Sequence, residues 1–157
     1  MGAVDWFARA RDARFDGRAV IDGERRDAVG GETFVKSSPI DGRTLGPIAR
    51  CREADVDAAV KSARAAFTDG RWAGKPPAVR KKLLQAFAAK ILAAKEELAL
   101  LETLDMGKPI QYSLAVDVPS TARTIAWYAE AIDKVYDEIA PTPANALALI
   151  TREPMGV

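Results

Sequence analysis

The stretch Leu101-Glu102-Thr103-Leu104-Asp105-Met106-Gly107-Lys108-Pro109-Ile110 places two carboxylates at the end of a helical pattern and one ammonium just past it. Helix C-terminal carbonyls carry partial negative charge, so Glu102 and Asp105 are poorly placed unless a cation lies close by. Two chemistries meet that need. Asp105 can be a solvated acid partly neutralised by Lys108, or it can join helix-end carbonyl oxygens around a bound cation, as hard oxygen ligands do. On these residues alone the first reading is the simpler. Gly107-Lys108 also has the start of a phosphate loop, but no other glycine closely precedes it and no Ser or Thr follows the lysine. Cys51 lies between Arg50 and Arg52, which would favour a thiolate; with no base in view it reads as a structural thiol at a strand end. Asp117-Val118-Pro119 reads as a cap where a helix restarts. Trp127, Tyr128 and Tyr136, at helical spacing, read as core aromatics rather than a ligand-stacking platform.

Composition narrows the chemistry further. The 157 residues have the length of one domain, with 48% hydrophobic against 29% charged residues, a balance able to bury a core. A formal charge of +1 supplies no electrostatic reason to expect nucleic acid or an anionic membrane. One cysteine and no histidine remove disulfide frameworks, Cys/His zinc sites and any Ser-His or Cys-His pair made within the chain. The N-terminal run has the Arg-rich look of a transit helix, but Asp5, Asp12 and Asp16 spoil its acid-poor pattern and Trp6 breaks a myristoylation motif. No apolar run approaches the roughly 20 residues that span a bilayer. The expectation is a cytoplasmic protein with an N-terminal helix.

The elements that must position these groups follow from periodicity. Val20-Ile21-Asp22-Gly23-Glu24 is a hairpin signal, repeated at Asp41-Gly42, so residues 18–51 are expected to form small strands and turns. Beyond Cys51 the period becomes helical: Val56, Ala59, Val60, Ala63 and Phe67 share a face, Glu53, Asp55 and Asp57 occupy the first turn, and Gly70 ends the helix. Pro76 and Pro77 open a second helix, whose stripe Leu83, Leu84, Phe87, Ile91, Leu98 and Leu101 predicts a continuous helix from Val79 to Met106, roughly 40 Å long at about 1.5 Å per residue. Gly107 and Pro109 turn the corner into a third, running through Leu114, Val118, Ala122, Ile125, Ala129, Ile132 and Tyr136 to Ile139, with a kink or restart at Pro119. Ala146-Leu147-Ala148-Leu149-Ile150 reads as a short strand. Three long amphipathic helices and few strands leave apolar surface without a sheet to cover, which suggests part of a larger fold.

Taken in order, Ile21-Asp22-Gly23-Glu24, Ser38-Pro39-Ile40-Asp41-Gly42, Ala54-Asp55-Val56-Asp57-Ala58-Ala59-Val60, Leu101 to Pro109 and Arg152-Glu153-Pro154-Met155-Gly156-Val157 resemble the N-terminal portion of the NAD(P)-dependent aldehyde dehydrogenases over residues 18–157. The run from Glu97 to Tyr136 is most similar to the gamma-glutamyl-gamma-aminobutyraldehyde dehydrogenases of putrescine breakdown. The resemblance implies an α/β fold in which residues 1–17 form a helix or arm, 18–137 the N-terminal part of the cofactor-binding domain, 138–153 an oligomerisation strand segment and 154–157 the start of a Rossmann-like core. It implies oxidation of an amino- or amide-bearing aldehyde with NAD or NADP in a homodimer or homotetramer, the alternative being a non-catalytic helical interaction module.

In this family a cysteine thiolate attacks the aldehyde, hydride passes to NAD(P)+, and a glutamate activates the water that releases the acid. The resemblance assigns those groups, and the main cofactor-binding residues, to sequence after Val157; Cys51 does not match the nucleophile's motif, so no catalytic or cofactor-binding residue is expected in this chain. It does carry over a monovalent-cation site, K+ or Na+, using Asp105 and the backbone oxygens of Lys36 and Ser37, with Ser38 standing where the family has Asn. It also carries over a substrate-tunnel lining of Val116, Asp117 and Ser120, where the Asp117 carboxylate could attract an amino-bearing aldehyde.

Overall fold

A computed structural model describes residues 4–157; the first three residues of the expected N-terminal arm lie outside it. The chain opens with α1 (Trp6–Asp12), capped by Asp5, whose carboxylate accepts from the Ala8 N–H at 2.9 Å. β1 (Ala19–Ile21) and β2 (Glu24–Arg26) form the expected hairpin. Asp22 and Gly23, both at positive φ (54° and 78°), make a turn whose twist matches that of the strands. β3 (Thr33–Ser37) and β4 (Thr44–Ala49) form a second antiparallel pair, with a register shift between Lys36 and Ser37.

α2 (Glu53–Thr68) starts where its acids cluster. Buried Asp55 accepts from the Arg52 N–H with one oxygen and from the Val29 N–H with the other, both at 2.9 Å, so one side chain closes the helix start and ties it to the loop after β2. These backbone donors hold the Asp55 carboxyl below the usual aspartate range. Val56 and Val60 of the predicted stripe are exposed; no neighbour within residues 4–157 covers that face.

Two helices replace the single one expected between Val79 and Met106. α3 (Pro77–Ala93) and α4 (Lys95–Met106) are separated at Ala94, whose backbone leaves the helical region at φ −92°, ψ 15°. The halves have different partners: α3 lies along α6 (Val118–Ala131), the largest helix interface, while α4 meets α1 and the π-turn (Ser113–Asp117) that precedes α6. A straight helix would serve only one of these packings. Leu83 and Phe87 of the stripe are exposed on α3.

The third helix also departs from expectation. After α5 (Ile110–Tyr112) the chain widens into a π-turn (Ser113–Asp117) before α6 (Val118–Ala131). The Val118 N–H donates to the Ser113 carbonyl, one residue further back than in an α-helix. Pro119 has no N–H to give, and the wide turn just ahead of it takes up the irregularity. α6 buries Val118, Ala122 and Ala129 and stops at Ala131, so Tyr136 and Ile139 fall outside it. Ile139 belongs instead to β5 (Glu138–Ala140), paired antiparallel with β6 (Ala148–Ile150), the latter within the expected strand. Trp127, Tyr128 and Tyr136, read as core, are exposed at 65%, 60% and 76%; Trp127 and Tyr128 meet edge to face, 4.9 Å between centroids. Their spacing matched a helix, but the residues that α6 buries are Val118, Ala122 and Ala129.

Candidate functional site

The helix corner organises the site. α4 ends at Gly107, whose φ of 82° lets its N–H return to the Thr103 carbonyl at 2.9 Å. A Cβ at Gly107 would also stand 3.1 Å from Pro39 Cγ, so glycine serves both the turn and the close approach of the chain after β3. That chain is held by Ser38: buried, it accepts the Gly42 N–H at its carbonyl (2.9 Å) and the Ile40 N–H at its hydroxyl (3.3 Å).

Asp105 finds its cation across this contact. Lys36 Nζ lies 2.8 Å from Asp105 Oδ1, joining β3 to the last turn of α4. Lys108, the nearer lysine in sequence, turns the other way and pairs with Asp117. The Asp117 carboxylate pushes the Lys108 ammonium above the usual lysine range, with a smaller contribution from Glu102. The simple reading of Asp105 therefore changes partner: Lys36, not Lys108, neutralises it. Sequence distance favoured Lys108, but the turn at Gly107 directs that side chain toward the π-turn.

Of the residues expected at the cation site, Lys36 and Ser37 sit at the register shift of β3, and Asp105 meets this strand through the Lys36 side chain. Val116 and Asp117 lie on the π-turn and Ser120 on the first turn of α6, one helical turn apart, with Val116 exposed and the other two half-buried. Asp117 does not cap α6: its backbone is helical and its side chain is committed to Lys108, while its carbonyl accepts the Thr121 hydroxyl at 2.9 Å. Ser120 Oγ accepts from Arg123 at 2.9 Å. Beneath this surface, fully buried Ser113 accepts the Thr103 hydroxyl at 3.4 Å, linking the start of the π-turn to α4. Sequence reasoning gave Ser113 no role; a small polar residue four before Asp117 carried no signal by itself. Cys51 is exposed just past β4. Among the described residues no group of three or more Cys, Asp and Glu side chains is arranged to hold a metal. Among the described residues no helix is long and apolar enough to cross a membrane.

The aldehyde dehydrogenase family profile matches residues 26–157. The chain belongs to this family. It is 47% identical over 152 residues to the NADP/NAD-dependent aldehyde dehydrogenase PuuC of Escherichia coli, covering 97% of this chain and 31% of that protein. It is 49% identical over 140 residues to an aminoacetaldehyde dehydrogenase of Pseudomonas aeruginosa, covering 89% of this chain and 28% of that one. Among solved structures, the gamma-glutamyl-gamma-aminobutyraldehyde dehydrogenase of Burkholderia cenocepacia superposes with a TM-score of 0.94 at 53% identity, over 97% of this chain and 31% of its own. The chain thus spans about a third of the length of the curated relatives it matches. Its fold is that of the N-terminal part of an aldehyde dehydrogenase, an oxidoreductase family.

Proposed function

We propose that the natural full-length protein oxidises an amino- or amide-bearing aldehyde to its carboxylic acid with NAD(P)+ and water, and that residues 4–157 build its entry wall and part of its assembly surface. The cofactor, when bound, accepts the hydride. The described residues include no glycine-rich strand-to-helix turn of the phosphate-binding kind, and none of them is assigned to that group. Two relatives, at 49% and 53% identity, are named for aminoacetaldehyde and gamma-glutamyl-gamma-aminobutyraldehyde, which supports the substrate class.

The observation that carries the reading is Asp117. It closes the π-turn one residue after exposed Val116 and three before Ser120, and its half-buried carboxylate pairs with Lys108. An ammonium or amide N–H on the substrate would share this carboxylate with Lys108, forming a charge-assisted contact far from the reacting carbon. In the full-length protein, Asp117→Asn is expected to raise KM about tenfold for an aminoaldehyde, the scale of about 1.4 kcal/mol, and to leave KM for a neutral aldehyde of equal length nearly unchanged. Equal effects on both substrates would reject the recognition role.

The β5–β6 hairpin supports a second part of the proposal, self-association. It packs little against the rest of the chain and leaves Ile139, Leu149 and Ile150 exposed, with open backbone edges able to pair with a second copy. Sedimentation of the full-length protein is expected to give a dimer or tetramer, and the double change Ile139→Asp with Leu149→Asp a smaller species. A native monomer would reject it.

A further inference from the structure

The corner at Asp105 is where the family resemblance and the side chains disagree. A monovalent cation would use the Asp105 carboxylate beside the helix end, but that carboxylate already holds a cation of the chain's own. The last turn of α4 has no basic residue, while Glu102 and Asp105 add two acids to the negative helix end. Lys36 Nζ, 2.8 Å from Asp105 Oδ1, brings one positive charge there on a tether from β3. A cavity of about 350 Å³ opens beside the pair, with Leu45, Ile48 and Leu101 in its lining alongside Lys36, Glu102 and Asp105. On its other side the pair is open to water, the Asp105 side chain being 65% exposed. An alkali ion entering this space would meet the ammonium at close range, a like-charge encounter, and would have to displace it from its carboxylate.

We infer that Lys36 is a built-in substitute for a structural alkali cation: its ammonium neutralises Asp105 and the end of α4, and it clamps β3 to the corner that leads into the π-turn. Two features make the clamp possible. The register shift between Lys36 and Ser37 breaks the regular pairing of β3 at this point, and Gly107 admits Pro39 against the helix end, so the strand arrives within reach of one lysine side chain. Lys108, which would otherwise be the local counter-charge, is committed to Asp117. The inference concerns stability and does not depend on the aldehyde-oxidising reading.

The test is thermal unfolding of the full-length protein in sodium, potassium and tetramethylammonium chloride at equal ionic strength. The native protein is expected to melt at one temperature in all three salts, because tetramethylammonium is too large to enter a carboxylate-carbonyl site and would expose any need for a small cation. Lys36→Met is expected to melt several degrees lower in tetramethylammonium and to recover in sodium or potassium, as the uncovered acids recruit the ion that the lysine replaced. Lys36→Arg, which keeps the charge, is expected to stay indifferent to the salt. A native protein stabilised by sodium or potassium over tetramethylammonium would overturn the inference. So would a Lys36→Met protein with no such preference. If Lys36→Met does not fold, the salt series on the native protein and on Lys36→Arg still decides: a preference for the small cations in either one refutes it.

Discussion

Residues 1–157 purified alone are expected to form no NADH from any aldehyde, with activity at least about 10⁴-fold below that of the full-length protein, the scale on which loss of a nucleophile and its partners acts. The chain's one thiol, Cys51, is exposed beyond a strand end between two arginines, and a histidine base cannot exist in a chain with no histidine. A thiolate without a positioned base, an oxyanion pocket or a hydride acceptor can add to an aldehyde but cannot complete the oxidation. The ionisable groups that do converge are charge pairs: Lys36 with Asp105, and Lys108 with Asp117. They position strands and turns. Aldehyde-dependent reduction of NAD+ above background by this chain would place chemistry where the structure has none, and adding Cys51→Ser would show whether the thiol was responsible.

The second large effect concerns the α3–α6 interface. Ala129 is completely buried and Ala122 is 1% exposed, both on the side of α6 that faces its neighbours, and Ala88 is buried on α3. Small side chains there let the two helices lie close, and the surface pairs follow from that closeness. Lys81 Nζ is 2.7 Å from Glu130 and 3.1 Å from Asp133, and Gln85 donates to Glu130 at 2.6 Å. Ala129→Leu would add three carbons to a filled interface and is expected to destabilise the full-length protein by about 1–3 kcal/mol. The loss should appear as a lower urea midpoint for the phase that reports this segment. Displacing α6 also displaces the π-turn at its start, so KM for the aldehyde should rise with the loss of stability. An unchanged midpoint would mean that the interface has slack which the burial of Ala129 does not suggest.

The exposed faces of α2 and α3 have a common physical reading. Val56, Val60, Leu83 and Phe87 lie on stripes that the sequence marks as buried, and nothing in residues 4–157 covers them. The chain spans about a third of its relatives' length, so an apolar stripe here measures what the full-length fold buries rather than what this segment buries by itself. The same reasoning applies to Trp127 and Tyr128.

Local signals were legible wherever the cause was local. Asp22-Gly23 specifies the hairpin turn because those residues tolerate positive φ, Pro77 suits a first helical turn, and Gly107 ends a helix by adopting the left-handed conformation. The ordered motifs pointed to the family, which the family profile over residues 26–157 shows. The break at Ala94 had no such marker: alanine is the best helix former, and only the divergence of α3 and α4 toward different partners interrupts it. Pro119 announced an irregularity but not its form, since a kink, a restart and a π-turn all accommodate a missing N–H.

By itself, then, the sequence determined the first hairpin, the turn residues and the place of Asp105 at a helix end that needs a positive charge. Which charge answers it was decided by tertiary structure alone. Lys36 lies 69 positions away in the chain and reaches Asp105 because the register shift opposite Leu45 of β4 and the Gly107–Pro39 contact bring the strand against the helix end, whereas Lys108, three positions away, is carried off by the turn that Gly107 makes. Ion pairing follows distance in space, and the turn that ends the helix sets that distance.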